Sequence, residues 1–300
     1  MENTNATTNQ YKEVSTPVEV NLKSLLQVGG HFGTKTSAWN PKCAPFIYGV
    51  RNGVYIINLD QTLDYWSRAR DVIVSHVTNG GSVLFVGTKK QSSTAVTNHA
   101  QRCGEPYVNF KWNAGTLTNF NILRRSVAKM EKYEQILKDS EGGETPYTKK
   151  ELVLYQRLVD KMLKRFGGLR NMKSLPSLIF ITDARNESIA VDEAIRVGVP
   201  TVSLADTDCK PEKLTHIIPA NDDAVRTLEL FCAAVADAVL EGKDNRKTAA
   251  EIESNLPPVV EEPVVETKVE TKVEVKTKVK KPLTRQPHRD KNLRVEIKKF

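Results

Sequence analysis

Residues 82–88 read Ser82-Val83-Leu84-Phe85-Val86-Gly87-Thr88, and a second run of the same kind, Ser177-Leu178-Ile179-Phe180-Ile181-Thr182-Asp183, follows ninety-odd residues later. A strand wetted on one face alternates apolar with polar residues. An unbroken apolar run belongs to a strand covered on both faces, as in a parallel sheet. A third strand pattern, PTVSLAD at 200–206, and short ones at 107–109 and 216–219 extend the series. Helical patterns at 91–103, 188–197 and 222–240 separate them. Strand, helix, strand in repetition gives a parallel sheet with helices on both faces. The expected fold class is α/β, a Rossmann- or flavodoxin-like three-layer sandwich.

Outward from the first run, residues 61–78 place Leu63, Trp66, Ala69, Ile73 and Val77 along one side of a helix. Before it, PFIYGV and VYIINL flank Arg51-Asn52-Gly53, the turn chemistry of a β-hairpin. Asn21 caps a short helix over 22–28 that Gly29-Gly30 ends.

Between the two apolar runs the pattern changes. Leu123, Val127, Met130, Tyr133 and Leu137 are spaced 4-3-3-4, and Leu152, Tyr155, Val159, Met162 and Phe166 are spaced 3-4-3-4. Those are coiled-coil seams, and the short link holding Gly142-Gly143 turns the second arm back on the first. An antiparallel coiled-coil hairpin, inserted at about 113–170, is expected to project from the sandwich with basic flanks.

Residues 1–17 read as a disordered lead-in, 18–242 as the α/β domain, and 243–300 as a disordered basic low-complexity tail. Beyond Leu256 the tail holds 12 Lys and Arg against 7 Asp and Glu. The 300-residue chain has 44 Lys and Arg, 36 Asp and Glu and a net charge of +8, a balance that favours an anionic partner. Cys43, Cys103, Cys209 and Cys232 form no Cys-x-x-Cys pair, so reduced thiols in a cytoplasmic-type compartment are expected rather than a zinc knuckle. No apolar run reaches the roughly 18 residues that suggest a membrane span.

An α/β sandwich invites a catalytic reading, in particular a nucleotide- or metal-dependent enzyme. The turn VLFVGTKKQSS offers only Gly87 where a dinucleotide fingerprint needs three glycines, and Gly81 to Gly87 has the wrong spacing for a P-loop. Asp183 and Asp206 end strands at the edge where such sheets bind ligands. With His31 and Asp208 they could form a divalent-cation site, or they could simply cap the turns that follow.

The basic residues cluster instead. Lys89-Lys90 meet a helix N-terminus, which suits phosphate, and Arg51 sits on a tight turn. Lys111 and Trp112 precede a polar stretch through Asn119 that leads to Arg124-Arg125. Trp112 could stack on an unpaired base or be buried at the hairpin root. Lys129, Lys149, Lys150, Lys164 and Arg165 continue the basic surface along the arms. RNA binding is the expectation these residues support, and no cofactor is expected beyond a possible divalent cation.

In order, GGHFGTKTSAWNPKCAPFIYGVRNGVYIINLDQT, LFVGTKK, KWNAGTLTNF, FGGLRNMKSLPSLIFITDA, GVPTVSLADT and IIPANDDAVRTLELF resemble the blocks of the bacterial-type S-two family of small-subunit ribosomal proteins, over about residues 20–242. The resemblance implies a non-catalytic, ribosome-bound chain, in bacterial cytoplasm or an organelle, present as a monomer. It implies small-subunit ribosomal RNA and neighbouring ribosomal proteins, including the S-one family, as partners. Two positions depart from the family pattern. Thr34 stands where a second His is frequent, and Trp112-Asn113-Ala114-Gly115 stands for Trp-Leu-Gly-Gly.

Overall fold

A computed structural model describes residues 18–141 and 146–255. The expected lead-in at 1–17 and the tail from 256 onward lie outside the described residues.

The buried runs form the strands they predict. β1 (Phe32–Lys35), β2 (Ile47–Arg51) and β3 (Val54–Ile57) make a small antiparallel sheet in the order β1-β3-β2. β4 (Val83–Val86), β5 (Tyr107–Val108), β6 (Leu178–Ile181), β7 (Thr201–Ala205) and β8 (His216–Pro219) make an all-parallel sheet in the order β5-β4-β6-β7-β8. Among those five strands the order is 2-1-3-4-5, the flavodoxin-like arrangement. The β2–β3 turn forms as read, with Asn52 (φ 53°) and Gly53 (φ 74°) both left-handed. β1 was not legible, because FGTK carries only one bulky apolar residue.

Alternate residues of the central strands face opposite cores. Val83, Phe85, Leu178, Phe180, Val202 and Leu204 point to one cluster, where Phe85 and Phe180 meet edge to face at 5.6 Å. Three helices cover that face: α2 (Leu59–Thr78), α3 (Lys90–Cys103) and α7 (Val225–Asn255). Leu84, Val86, Ile179 and Ile181 point the other way, against α6 (Ser188–Val197) and the hairpin root. A short α1 (Leu22–Val28) packs beside α2 and α7. All four cysteines are buried and unbridged.

α7 outruns its expected end at Leu240. The segment after Gly242 is charged, but its Glu, Lys, Arg and Ala residues are good helix formers. Lys243 is tied into the domain through Glu105 (2.6 Å) and the Cys103 carbonyl (2.6 Å). The domain boundary expected at 243 therefore falls inside a packed helix.

The inserted segment folds as two helices, α4 (Phe120–Glu141) and α5 (Lys149–Phe166), which pack on each other with Tyr133 and Tyr155 stacked at 5.1 Å. Val127, Met130 and Val159 are buried between them. Thr148 caps α5 in a reciprocal pair with Glu151. The chain returns to the sheet through Gly168, where an added Cβ would lie 2.3 Å from the Tyr107 carbonyl oxygen and within 3 Å of its ring. Gly168→Ala is expected to cost about 1–3 kcal/mol through this clash, read as a lower thermal midpoint.

Candidate nucleic-acid interface

In a 2-1-3-4-5 sheet the ligand crevice opens at the carboxyl ends of the first and third strands, here β4 and β6. A cleft of about 410 Å³ lies there, lined by Lys89, Arg185 and the carboxylates of Asp183, Asp208, Asp222 and Asp223. Lys89 Nζ lies 2.5 Å from Asp183, 2.8 Å from Asp223 and 3.4 Å from Asp222. Thr88 donates its backbone N–H to Glu187 at 3.0 Å, and its hydroxyl donates to the same carboxylate. Lys89 was read as a phosphate contact, and the structure corrects this: its ammonium is engaged by three carboxylates. Burial works against that charge, but hydrogen bonds to Asp183 and Asp223 and the field of Asp222 hold the ammonium well above the usual lysine range.

One ammonium cannot neutralise the surrounding acids. Burial, reinforced by the charge of Asp183, pushes the Asp222 carboxyl up to about 9. Burial likewise raises Asp206 to about 7, against the hydrogen bond its carboxylate accepts from the Thr207 N–H at 2.5 Å. Asp208 pairs with Arg185, and the buried Nδ1 of His31 has no hydrogen-bond partner. Among the described residues no group of three or more His, Cys, Asp or Glu side chains is placed to hold a metal ion. His31, Asp206 and Asp208 are thus not gathered into the ligand set that their sequence positions suggested.

At the hairpin root a different carboxylate organises the chain. Trp112 is buried, and its Nε1–H donates to Glu193 on α6 at 3.1 Å. The backbone N–H groups of Gly115 (2.7 Å), Leu117 (3.0 Å) and Thr118 (3.2 Å) donate to the same carboxylate. The Thr118 hydroxyl donates too, at 3.2 Å. Burial opposes the Glu193 charge, yet these donors hold its carboxyl below the usual range. Trp112 therefore offers no face to a base, and burial is the outcome of the two readings given for it. Sequence reasoning missed Glu193. The signal was the polar run AGTLTNF, whose consecutive N–H groups need a shared acceptor.

The remaining basic candidates lie outside the packed interior. Arg51 is exposed at the β2–β3 turn, Lys90 opens α3, and Lys111 is exposed just before Trp112. Asn119 is exposed at the start of α4, and its carbonyl accepts from the Ile122 and Leu123 N–H groups. Arg125 and Lys129 are exposed on α4, with Lys129 lying 5.6 Å over the Tyr133 ring. Lys149 and Lys150 open α5, and Lys164 and Arg165 close it, all exposed. Arg124 differs, since its guanidinium donates to the Met172 (3.1 Å) and Arg170 (3.4 Å) carbonyls and so braces the root.

This arrangement is a strand-end cleft lined mainly by acids, a packed pair of helices and basic side chains outside the core. The pattern of ribosomal protein S2 matches residues 25–242, nearly all of the folded domain. The chain belongs to the ribosomal protein S2 family. It is 46% identical over 228 residues to the small ribosomal subunit protein uS2 of Nitratidesulfovibrio vulgaris strain Miyazaki F, covering 76% of this chain and 83% of that protein. It is 45% identical over 228 residues to uS2 of Lawsonia intracellularis, covering 76% and 78% of the two chains. It is 45% identical over 224 residues to uS2 of Campylobacter concisus, covering 75% and 85%.

Both departures from the S2 pattern are accommodated locally. Thr34 bonds Thr207 through its backbone N–H (3.0 Å) and its hydroxyl (2.6 Å), joining β1 to the loop after β7. Ala114 is exposed, so its methyl has room, and the position that needs glycine, Gly115 at φ 93°, keeps it.

Proposed function

We propose that this chain is a structural constituent of the small ribosomal subunit, without catalytic activity, which binds ribosomal RNA and neighbouring ribosomal proteins. The match to ribosomal protein S2 across residues 25–242 carries the reading. The relatives' shared designation as small ribosomal subunit proteins supports it. Phosphate affinity sums over many cations, and the exposed set Arg51, Lys90, Lys111, Arg125, Lys129, Lys149, Lys150, Lys164 and Arg165 supplies them. Asn119 adds an amide beside them. Protein partners include the S-one family by the same resemblance. No helix among the described residues is long and apolar enough to cross a membrane.

The test is sedimentation. The chain should travel with small subunits at low salt and leave them on a high-salt wash. Recovery only in the free soluble pool would overturn the reading. Arg125→Glu with Lys129→Glu should weaken incorporation by about ten- to a hundred-fold, because each substitution removes one phosphate contact and adds repulsion. The thermal midpoint of the isolated chain should stay unchanged. Arg124 is left intact in this test because it holds backbone carbonyls. Removal of the tail belongs after Asn255, not at 243, since α7 is packed beyond Gly242.

A further inference from the structure

Two residues before the buried Trp112, Phe110 is 55% exposed and has no aromatic partner among the described residues. It lies where two shallow grooves join. One, about 420 Å³, is lined by Phe110, Arg157, Asp160, Lys161, Lys164 and Arg165. The other, about 530 Å³, continues past Phe110 and Lys164 to Leu163, Ser93 and Asn109. Arg157, Lys161, Lys164 and Arg165 are spaced 4, 7 and 8 residues from the first and so form one stripe along α5. Asp160 is the lone carboxylate lining the grooves, and it accepts a hydrogen bond from Gln156 at 3.0 Å.

An exposed ring costs solvation unless something covers it, and here the only charge beside it is an excess of cations. The complement of that surface is a flat apolar plate joined to a chain of anions. We propose that this groove binds a single-stranded RNA segment, with one unpaired base stacked on Phe110 and its flanking phosphates along Arg157, Lys161, Lys164 and Arg165. Ring stacking with a cationic track is how single strands are held without base-pair geometry. Ser93 and Asn109 stand at the far end, where they can meet a base or sugar edge. An acidic peptide would satisfy the cations but leave the ring wet. The inference rests on the ribosomal reading above and adds to it a place and a form of RNA.

The experiment has two arms. In the first, the full chain is titrated with an oligouridylate of about ten nucleotides, with an RNA duplex of equal length, and with polyglutamate. The single strand should be preferred. Phe110→Ala should weaken it about 5- to 100-fold, and Phe110→Tyr should restore it. Arg165→Ala should lower the salt slope for the single strand by about 0.7. The thermal midpoint should not move in any of the three. In the second arm, small subunits containing the chain are irradiated, and the Phe110 peptide should carry a cross-linked nucleotide. A chain present in subunits, with no cross-link at Phe110 and unchanged oligouridylate affinity in Phe110→Ala, overturns the groove and leaves the ribosomal reading standing. Phe110-dependent binding of polyglutamate in place of the oligouridylate overturns it as well. A chain absent from subunits that still binds single strands through Phe110 overturns the ribosomal reading instead.

Discussion

Glu193→Ala should lower the stability of the domain by about 2–4 kcal/mol, because it removes the acceptor of two buried donors, the Trp112 indole and the Leu117 N–H, and of three partly exposed ones. Three backbone N–H groups, the Trp112 indole and the Thr118 hydroxyl all end on that one carboxylate. For a domain of this size the loss corresponds to roughly 10 °C in thermal midpoint. Glu193→Gln should not rescue it. Each oxygen accepts at least two bonds, so an amide NH2 in either orientation points a donor at donors. The pH dependence has a definite sign. A carboxyl held below its unfolded value contributes stability that is present above that value and lost as pH falls through the folded one. The parent should therefore lose this share on acidification, and the alanine variant should have none to lose. Parallel melting curves for parent and variant across the acid range would refute the assignment.

The second large effect is at Lys89. Lys89→Met should cost about 2–4 kcal/mol near pH 8, since it removes the ammonium 2.5 Å from the buried carboxylate of Asp183. The range allows for the lysine's partial exposure. Asp222→Asn should act in the opposite direction. In the folded parent Asp222 and Asp206 hold protons up to about 9 and about 7, whereas the unfolded chain releases them near pH 4. Their contribution is fully present below pH 4 and is lost as pH rises towards 9. Asp222→Asn should flatten that decline, giving a higher midpoint than the parent at pH 8–9 and a similar one at pH 4. A variant that melts lower than the parent at pH 9 would contradict this.

The legible part of the molecule was the part whose cause is local. Val83–Val86 and Leu178–Ile181 are buried on both faces, and an apolar run is the direct imprint of that. The Asn52-Gly53 turn is likewise written in adjacent residues. What escaped depends on partners distant in the chain. Trp112 and Glu193 are 81 residues apart, and Lys89 and Asp222 are 133 apart. From sequence a lysine after a strand looks the same whether it faces phosphate or a carboxylate cluster. Sequence alone likewise does not say that the fold buries Trp112 and leaves Phe110, two residues earlier, exposed.

The Glu193 carboxylate also sets an aiming tolerance. α4 has 22 residues and extends about 33 Å at the helical rise. On a lever of that length, each degree of rotation about the root sweeps the far end of α4 through about 0.6 Å. Five hydrogen bonds converging on one rigid point suppress that rotation where it is cheapest to suppress, at the fulcrum. A substitution there would leave every side chain on the arms chemically intact and still blur where they point.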